Sequence, residues 1–187
     1  MYYFKWALRL FFFAIVAVFL HYTLPQRDIV QIVQAETRIT TFNGWTRMFY
    51  AQPDAGEADT ASRDVRYIRA VRANERPIEY RNEDTGVFGW PPYFKINSDT
   101  IQTRAATAAA QQTGEQWFIV RHYGWRWNYP TIFPNVLSIT PADGPDQRLI
   151  PYFNIAVILI LFGVYWAIAV RLKRFRQRRI DPLFDGE

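Results

Sequence analysis

The sequence predicts a membrane-anchored α+β protein in which two transmembrane helices flank a small antiparallel β-sheet or partly closed barrel domain with one helix. Three observations predict it. Leu10 to Leu20 reads LFFFAIVAVFL without a polar residue, and a second apolar run spans Ile150 to Leu172. Between them lie short alternating segments rich in β-branched residues and a single alanine-rich stretch.

The first apolar segment occupies residues 6–24. About 19 residues at ~1.5 Å rise just cross a ~30 Å hydrocarbon layer, and Pro25 then ends the helix. A secretory signal shares this pattern, but HYTLPQRD after the core offers no small-residue cleavage site, so an uncleaved signal anchor is expected. The second segment, residues 150–172, is interrupted only by Asn154 near its entry. Arg171, Lys173, Arg174, Arg176, Arg178 and Arg179 follow as a cytoplasmic retention signal, and Lys5 and Arg9 place the other end on the same side. The pattern describes a two-pass protein of the bacterial inner membrane. Residues 1–5 and 173–187 are cytoplasmic, and residues 25–149 form a periplasmic domain. Trp6, Tyr22, Tyr152, Tyr165 and Trp166 lie toward the segment ends, where amphipathic rings favour the headgroup layer. The basic tail also suits anionic lipid.

A mean hydropathy of −0.17 averages these apolar ends with a polar middle. The formal charge of +5 is equally uneven. The end segments hold eight basic residues against Asp181, Asp185 and Glu187, which leaves 14 basic and 14 acidic residues in the middle. The domain is therefore neutral, and a nucleic-acid partner is not expected. The absence of cysteine excludes disulfides, thiolate metal sites, covalent haem attachment and a catalytic Cys. Two histidines are too few for a His-rich metal site.

Within the domain, Asp28–Thr41 reads as a long half-buried strand leaving the membrane. Arg63–Val71, Ile78–Arg81, Gln116–Tyr123 and Val136–Thr140 read as further strands, the first with Val65, Tyr67 and Val71 opposite Arg66 and Ile68. Residues 51–62, AQPDAGEADTAS, have no apolar period and read as an exposed loop. One helix is expected over Asp99–Gln112, with Ser98 as N-cap, five alanines favouring it and Gly114 ending it. Its weak apolar face, Ile101, Ala105, Ala108 and Ala109, suits close packing on a sheet.

Four strings, YRNEDTGVFGWPPYFKINSDTIQTRA (Tyr80–Ala105), HYGWRWNYPTIFPNVLSI (His122–Ile139), RLIPYFNI (Arg148–Ile155) and RRIDPLF (Arg178–Phe184), carry a resemblance. Together they resemble an uncharacterised family of proteobacterial membrane proteins with a domain of unknown function. The likeness covers most of residues 63–184. It implies the architecture and transfers no substrate, cofactor or catalytic residue.

Two aromatic constellations are candidates for partner binding. Trp90 and Tyr93 flank the Pro91-Pro92 pair, which is expected to stiffen an extended backbone. Tyr123, Trp125 and Trp127 alternate with Gly124 and Arg126, which in a strand would make one face aromatic. Rigid aromatics bury against a partner at low entropic cost, and they serve equally as core or as membrane-surface residues. Glu83-Asp84 before Thr85-Gly86 fits a turn better than a calcium loop. No nucleophile elbow, P-loop or HExxH motif is present, so His122 reads as structural and no enzyme activity, cofactor or metal is expected. His21, near the outer end of the first helix, is an interfacial polar residue or an axial ligand for a tetrapyrrole. These features point to a non-catalytic accessory, structural or assembly subunit of a larger inner-membrane complex, such as a respiratory or photosynthetic one. Its partners are lipid and other integral membrane proteins. The alternative is a membrane-anchored periplasmic ligand-binding or sensing module with an aromatic-lined pocket.

Overall fold

The computed structural model of the chain describes residues 2–42, 44, 46–50, 62–86, 89–111, 116–127 and 131–180. The expected loop at 51–61 and the expected helix stop at Gly114 lie outside the described residues. The chain divides into two compact units, residues 1–149 and 150–187.

The first unit begins with helix α1 (Tyr2–Thr23), whose only buried residue is Thr23. Five strands follow: β1 (Gln26–Thr41), β2 (Ser62–Arg72), β3 (Pro77–Arg81), β4 (Trp117–Tyr123) and β5 (Asn135–Ala142). They form a closed barrel in the order β1-β2-β3-β5-β4. Closure depends on β1, which pairs with β4 through Gln26–Val30 and with β2 through Val30–Thr41. The β1–β2 register shifts between Ile32 and Gln34, and the bulge at Val33 bends the strand from one neighbour to the other. β3 and β5 meet in parallel at Arg81 and Asn135, and every other pair is antiparallel.

The expected barrel with one helix is found, but it is closed where partial closure was expected, and one of its strand pairs is parallel. Around a ring of five strands the directions cannot alternate throughout, so a closed five-stranded barrel needs at least one parallel neighbour pair. Helix α2 (Ser98–Ala110) lies between β3 and β4 in the chain. This connectivity is that of the OB-fold, a five-stranded Greek-key barrel.

The barrel is filled by Val30, Ile32, Ile68, Ala70, Ile78, Tyr80, Val120, Val136 and Ile139. Ile101, Ala105 and Ala108 of α2 join this cluster. Their spacing of four and three puts them on one helix face, and the alanines let the backbone approach closely. β2 departs from the one-sided burial its alternation suggests. Ile68 and Ala70 enter the barrel, while Val65 and Tyr67 on the other face are buried with Tyr50 and Phe133. The start of α2 differs as well. Asn97, not Ser98, is the N-cap residue, and it makes no side-chain capping bond. Asp84 instead accepts the Ser98 backbone N–H at 2.9 Å and the Ser98 hydroxyl at 2.7 Å. A carboxylate from the preceding loop thus satisfies a helix N-terminal donor.

The second unit is helix α3 (Tyr152–Phe175), which continues through a π-helical turn (Arg176–Ile180) and buries none of its described side chains. Helix α1 and the helix from Tyr152 to Arg178 are both long and apolar enough to cross a membrane.

Candidate functional site

OB-folds characteristically bind oligonucleotides and oligosaccharides on the β2–β3 face, between the β1–β2 and β4–β5 loops. In this chain the outer face of β2 and β3 carries Tyr67 opposite Arg81 and Arg69 opposite Glu79. Described residues of the two flanking connections lie over it. Tyr50, from the β1–β2 connection, donates its hydroxyl to the Thr131 carbonyl in the β4–β5 connection at 2.9 Å. Burial pushes the Tyr50 phenol above its ordinary range, so it remains a donor. Phe133 meets Tyr67 edge-on at 5.1 Å, and Arg38 lies 4.0 Å above the same ring. Tyr67 is left 1% exposed and Arg81 2% exposed.

Arg81 is tolerable there because its partners are complete. Its Nε donates to the Phe133 carbonyl at 3.0 Å and its guanidinium meets Glu83 at 2.6 Å. Burial is the largest single influence and opposes its charge, but Glu83, Tyr123 and Tyr22 together outweigh it and raise its pKa. Glu83 also receives Arg63, and its backbone N–H and C=O are both bonded by the Asn135 amide. At the edge of this face, Glu79 takes Arg38 at 2.5 Å and Arg69 at 3.4 Å.

Two further polar groups are internal. Asp28, on the inward face of β1, accepts Tyr80 Oη at 2.6 Å, Arg72 at 2.9 Å and His122 Nε2 at 3.1 Å. Burial would raise its pKa, but these three donors hold it well below the ordinary carboxylate range. His122 Nδ1 is buried without a partner. Lys95 is buried with its Nζ on Asn82 Oδ1 at 2.6 Å, and burial brings its pKa down to about 7. Among the described residues no three His, Asp or Glu side chains converge as metal ligands.

The sequence-selected aromatics gather elsewhere, around the end of α1. Gly124, at φ +89°, turns the chain as β4 ends, and its N–H donates to the Tyr22 carbonyl at 2.9 Å. This corrects the expectation of one continuous aromatic face, because alternation stops where the strand does. Tyr123 is buried and Trp125 half-buried, while Arg126 and Trp127 are exposed. Arg126 lies 4.1 Å over the Phe133 ring. Tyr22 packs edge-on against Phe49 at 5.8 Å, Tyr123 at 6.4 Å and Trp125 at 5.2 Å. Trp125 Nε1 donates to His21 Nδ1 at 2.8 Å, which places the proton of the neutral imidazole on Nε2.

On the β3–α2 loop, the Trp90 ring stacks on Phe19 at 5.6 Å, and Tyr93 Oη donates to the Thr23 carbonyl. The Pro91-Pro92 segment is not extended as expected. The Tyr93 N–H turns back to the Pro91 carbonyl, with Pro91 buried and Pro92 exposed. An apolar groove of about 400 Å³ runs along α1 between Phe11, Val18, Tyr22, Phe49 and Trp125. Trp6, Lys5 and Arg9 are exposed on α1, with Arg9 5.3 Å over the Trp6 ring. Tyr152, Tyr165, Trp166, Arg171, Lys173, Arg174, Arg176 and Arg178 are exposed on the second unit, and the Arg179 side chain is outside the description.

The site residues that sequence reasoning missed are those the register assembles, namely Asp28 with His122, and Tyr50 with Phe133. Separations of 94 and about 83 residues hide them from any local pattern.

Fold and site define the class, a five-stranded barrel of OB-type connectivity joined directly to one apolar helix and followed in the chain by another, with Tyr50 and Phe133 packed over the outer face of β2 and β3. The chain belongs to the DUF1523 family of proteins of unknown function, which matches it over residues 1–176. It is also similar to an uncharacterized protein of Haemophilus influenzae, 28% identical over 142 residues, which is 74% of this chain and 76% of the relative. No solved structure matches.

Proposed function

We propose that the protein is a non-catalytic accessory or assembly subunit of a larger bacterial inner-membrane complex. It crosses the membrane twice with both termini in the cytoplasm and holds its barrel in the periplasm. The observation that carries this reading is the closure of the β2–β3 face. From the connections that clasp small polymers in OB barrels, Tyr50 and Phe133 here pack over the face, and the buried Arg81 of β3 is matched by Glu83. Among the described residues, Met48 and Trp127 of these connections are exposed large hydrophobics, as is Ile39 near the end of β1. Exposed apolar side chains on a rigid scaffold suit a protein partner, with Trp127 as its aromatic anchor. Membrane anchoring is supported by α1 and α3, which are apolar on every side yet bury almost nothing within their own units.

The test is extraction of native membranes with a mild detergent. The chain is expected in a particle much larger than its own 22.1 kDa, and Trp127→Ala is expected to release it while leaving the barrel folded. Migration as a lone monomer would sink the reading. Survival of the particle with Trp127→Ala, but not after replacement of both apolar helices, would move recognition into the membrane.

A further inference from the structure

Burial alternates along the connection from β3 to α2. Pro91 and Lys95 are buried and Tyr93 is half-buried, while Trp90, Pro92, Phe94 and Ile96 are exposed. All four outward residues are apolar, and Trp90, Phe94 and Ile96 are 62%, 61% and 76% accessible. The inward residues are pinned, so the outward ones cannot fold away. Tyr93 donates its hydroxyl to the Thr23 carbonyl and its N–H to the Pro91 carbonyl at 2.7 Å. The Lys95 N–H meets Thr85 Oγ1 at 3.1 Å, its carbonyl accepts the Thr85 N–H at 3.0 Å, and its Nζ lies on Asn82 Oδ1 at 2.6 Å. Between these anchors Phe94 holds φ +50°, a left-handed conformation that bulky L-residues seldom adopt, and its ring stays exposed. Strain kept at a segment that presents aromatic rings outward points to a contact made there.

The location of the stripe narrows what it contacts. Trp90 stacks on Phe19, which lies four residues before the end of α1, or about 6 Å down the helix axis. The unbroken apolar run of α1 ends one residue later, at Leu20, and His21, Tyr22 and Thr23 follow. The connection therefore hangs beside the last turns of α1, with Trp90 level with the end of the apolar run and Tyr93 tied to the final residue. With α1 across a membrane, that level is the boundary between headgroups and acyl chains, where tryptophan is favoured and where apolar side chains without charge can enter.

We propose that Trp90, Pro92, Phe94 and Ile96 form a second membrane contact, a wedge seated at the headgroup–acyl boundary of the leaflet from which α1 emerges. The occupant of the stripe is thus the lipid surface itself. Helix and wedge together hold the barrel against the bilayer. The proposal rests on α1 being a membrane anchor.

The chain has no cysteine, so single nitroxide labels can be placed in the full chain, reconstituted in nanodiscs of phosphatidylglycerol and phosphatidylcholine. Ile96→Cys reports the wedge. Ile39→Cys, the same residue type at the same 76% accessibility but near the end of β1, is the reference. Ile15→Cys reports the anchor. Collision with oxygen, which concentrates in hydrocarbon, is compared with collision with a water-soluble nickel chelate. The oxygen-to-nickel ratio at residue 96 is expected to exceed that at residue 39 several-fold. If Ile96→Cys does not fold, Pro92→Cys, exposed in the same stripe, carries the same comparison. Equal ratios at 96 and 39, with the label at 15 in hydrocarbon, overturn the wedge and leave the anchor standing. A water-exposed label at 15 defeats both. Spin–spin broadening at 96 that disappears on dilution with unlabelled chain assigns the stripe to a second copy and overturns the lipid contact.

Discussion

Replacement of Asp28 by Ala removes one acceptor from three donors, and their burial sets the magnitude. Arg72 is partly exposed and can turn to water. Tyr80 is fully buried and His122 is 3% exposed, so both keep an orphaned donor inside the barrel. Each buried, unsatisfied donor costs about 1–3 kcal/mol, and the pair about 2–6 kcal/mol. Small domains hold only about 5–15 kcal/mol in total, so Asp28→Ala should bring the barrel close to its stability limit.

Equilibrium urea unfolding of the full chain in detergent, followed by far-ultraviolet circular dichroism and tryptophan emission, measures the loss. Adding Tyr80→Phe to the Ala variant should recover about 1 kcal/mol or more, because removing both partners of a buried bond costs less than removing one. A loss below about 1 kcal/mol, or a double variant no more stable than the single, refutes the reasoning. The pH dependence has a definite sign. The folded-state pKa of Asp28 is lowered, so its contribution is fully present above the ordinary carboxylate range and disappears as pH falls through the lowered value. Wild type should lose stability in that acid range, and Asp28→Ala should lose less.

Lys95 should act in the opposite range. With its pKa brought to about 7 by burial, the unfolded chain holds a proton that the folded amine lacks from there up to the ordinary lysine range. Stability should therefore rise with pH across that window by at most about 1.4 kcal/mol per unit, and Lys95→Met should flatten the slope in thermal melts. Glu83→Gln leaves Arg81 charged and buried without its counter-ion and should cost about 3–5 kcal/mol in urea unfolding, whereas a cost near zero would mean that Arg81 relaxes to solvent. Tyr50→Phe removes the bond to the Thr131 carbonyl, and hydrogen exchange at Thr131 and Ile132 should accelerate, with unchanged protection contradicting the clasp. Gly124→Ala puts a side chain at φ +89°, so a destabilisation of about 1 kcal/mol or more is expected, and a neutral result would show that the turn relaxes.

The strands and α2 were legible because each carries its own signal. Asp28–Thr41 shows β-branched alternation, the alanine run sets α2, and the observed bounds lie within a few residues of those readings. Closure was not legible, because it depends on β1 having two partners and on a bulge at Val33 that no local pattern marks. The cap on α2 came from Asp84, 14 residues before the serine whose type suggested a cap. Among the aromatics, composition set Tyr123, Trp125 and Trp90 apart but gave no direction to their rings. Gly124 supplied the missing information, since a positive φ ends an alternation that side-chain chemistry alone would extend.

Only Leu24 and Pro25 separate the last residue of α1 from the first of β1. A connection this short, pinned by Gly124 and Tyr93 on the carbonyls of Tyr22 and Thr23, leaves no swivel. Rotation of the helix about its axis must therefore turn the barrel through the same angle, and a change in helix tilt must appear as a displacement of the barrel's far rim. The joint transmits torque, whereas a glycine-serine spacer would dissipate it.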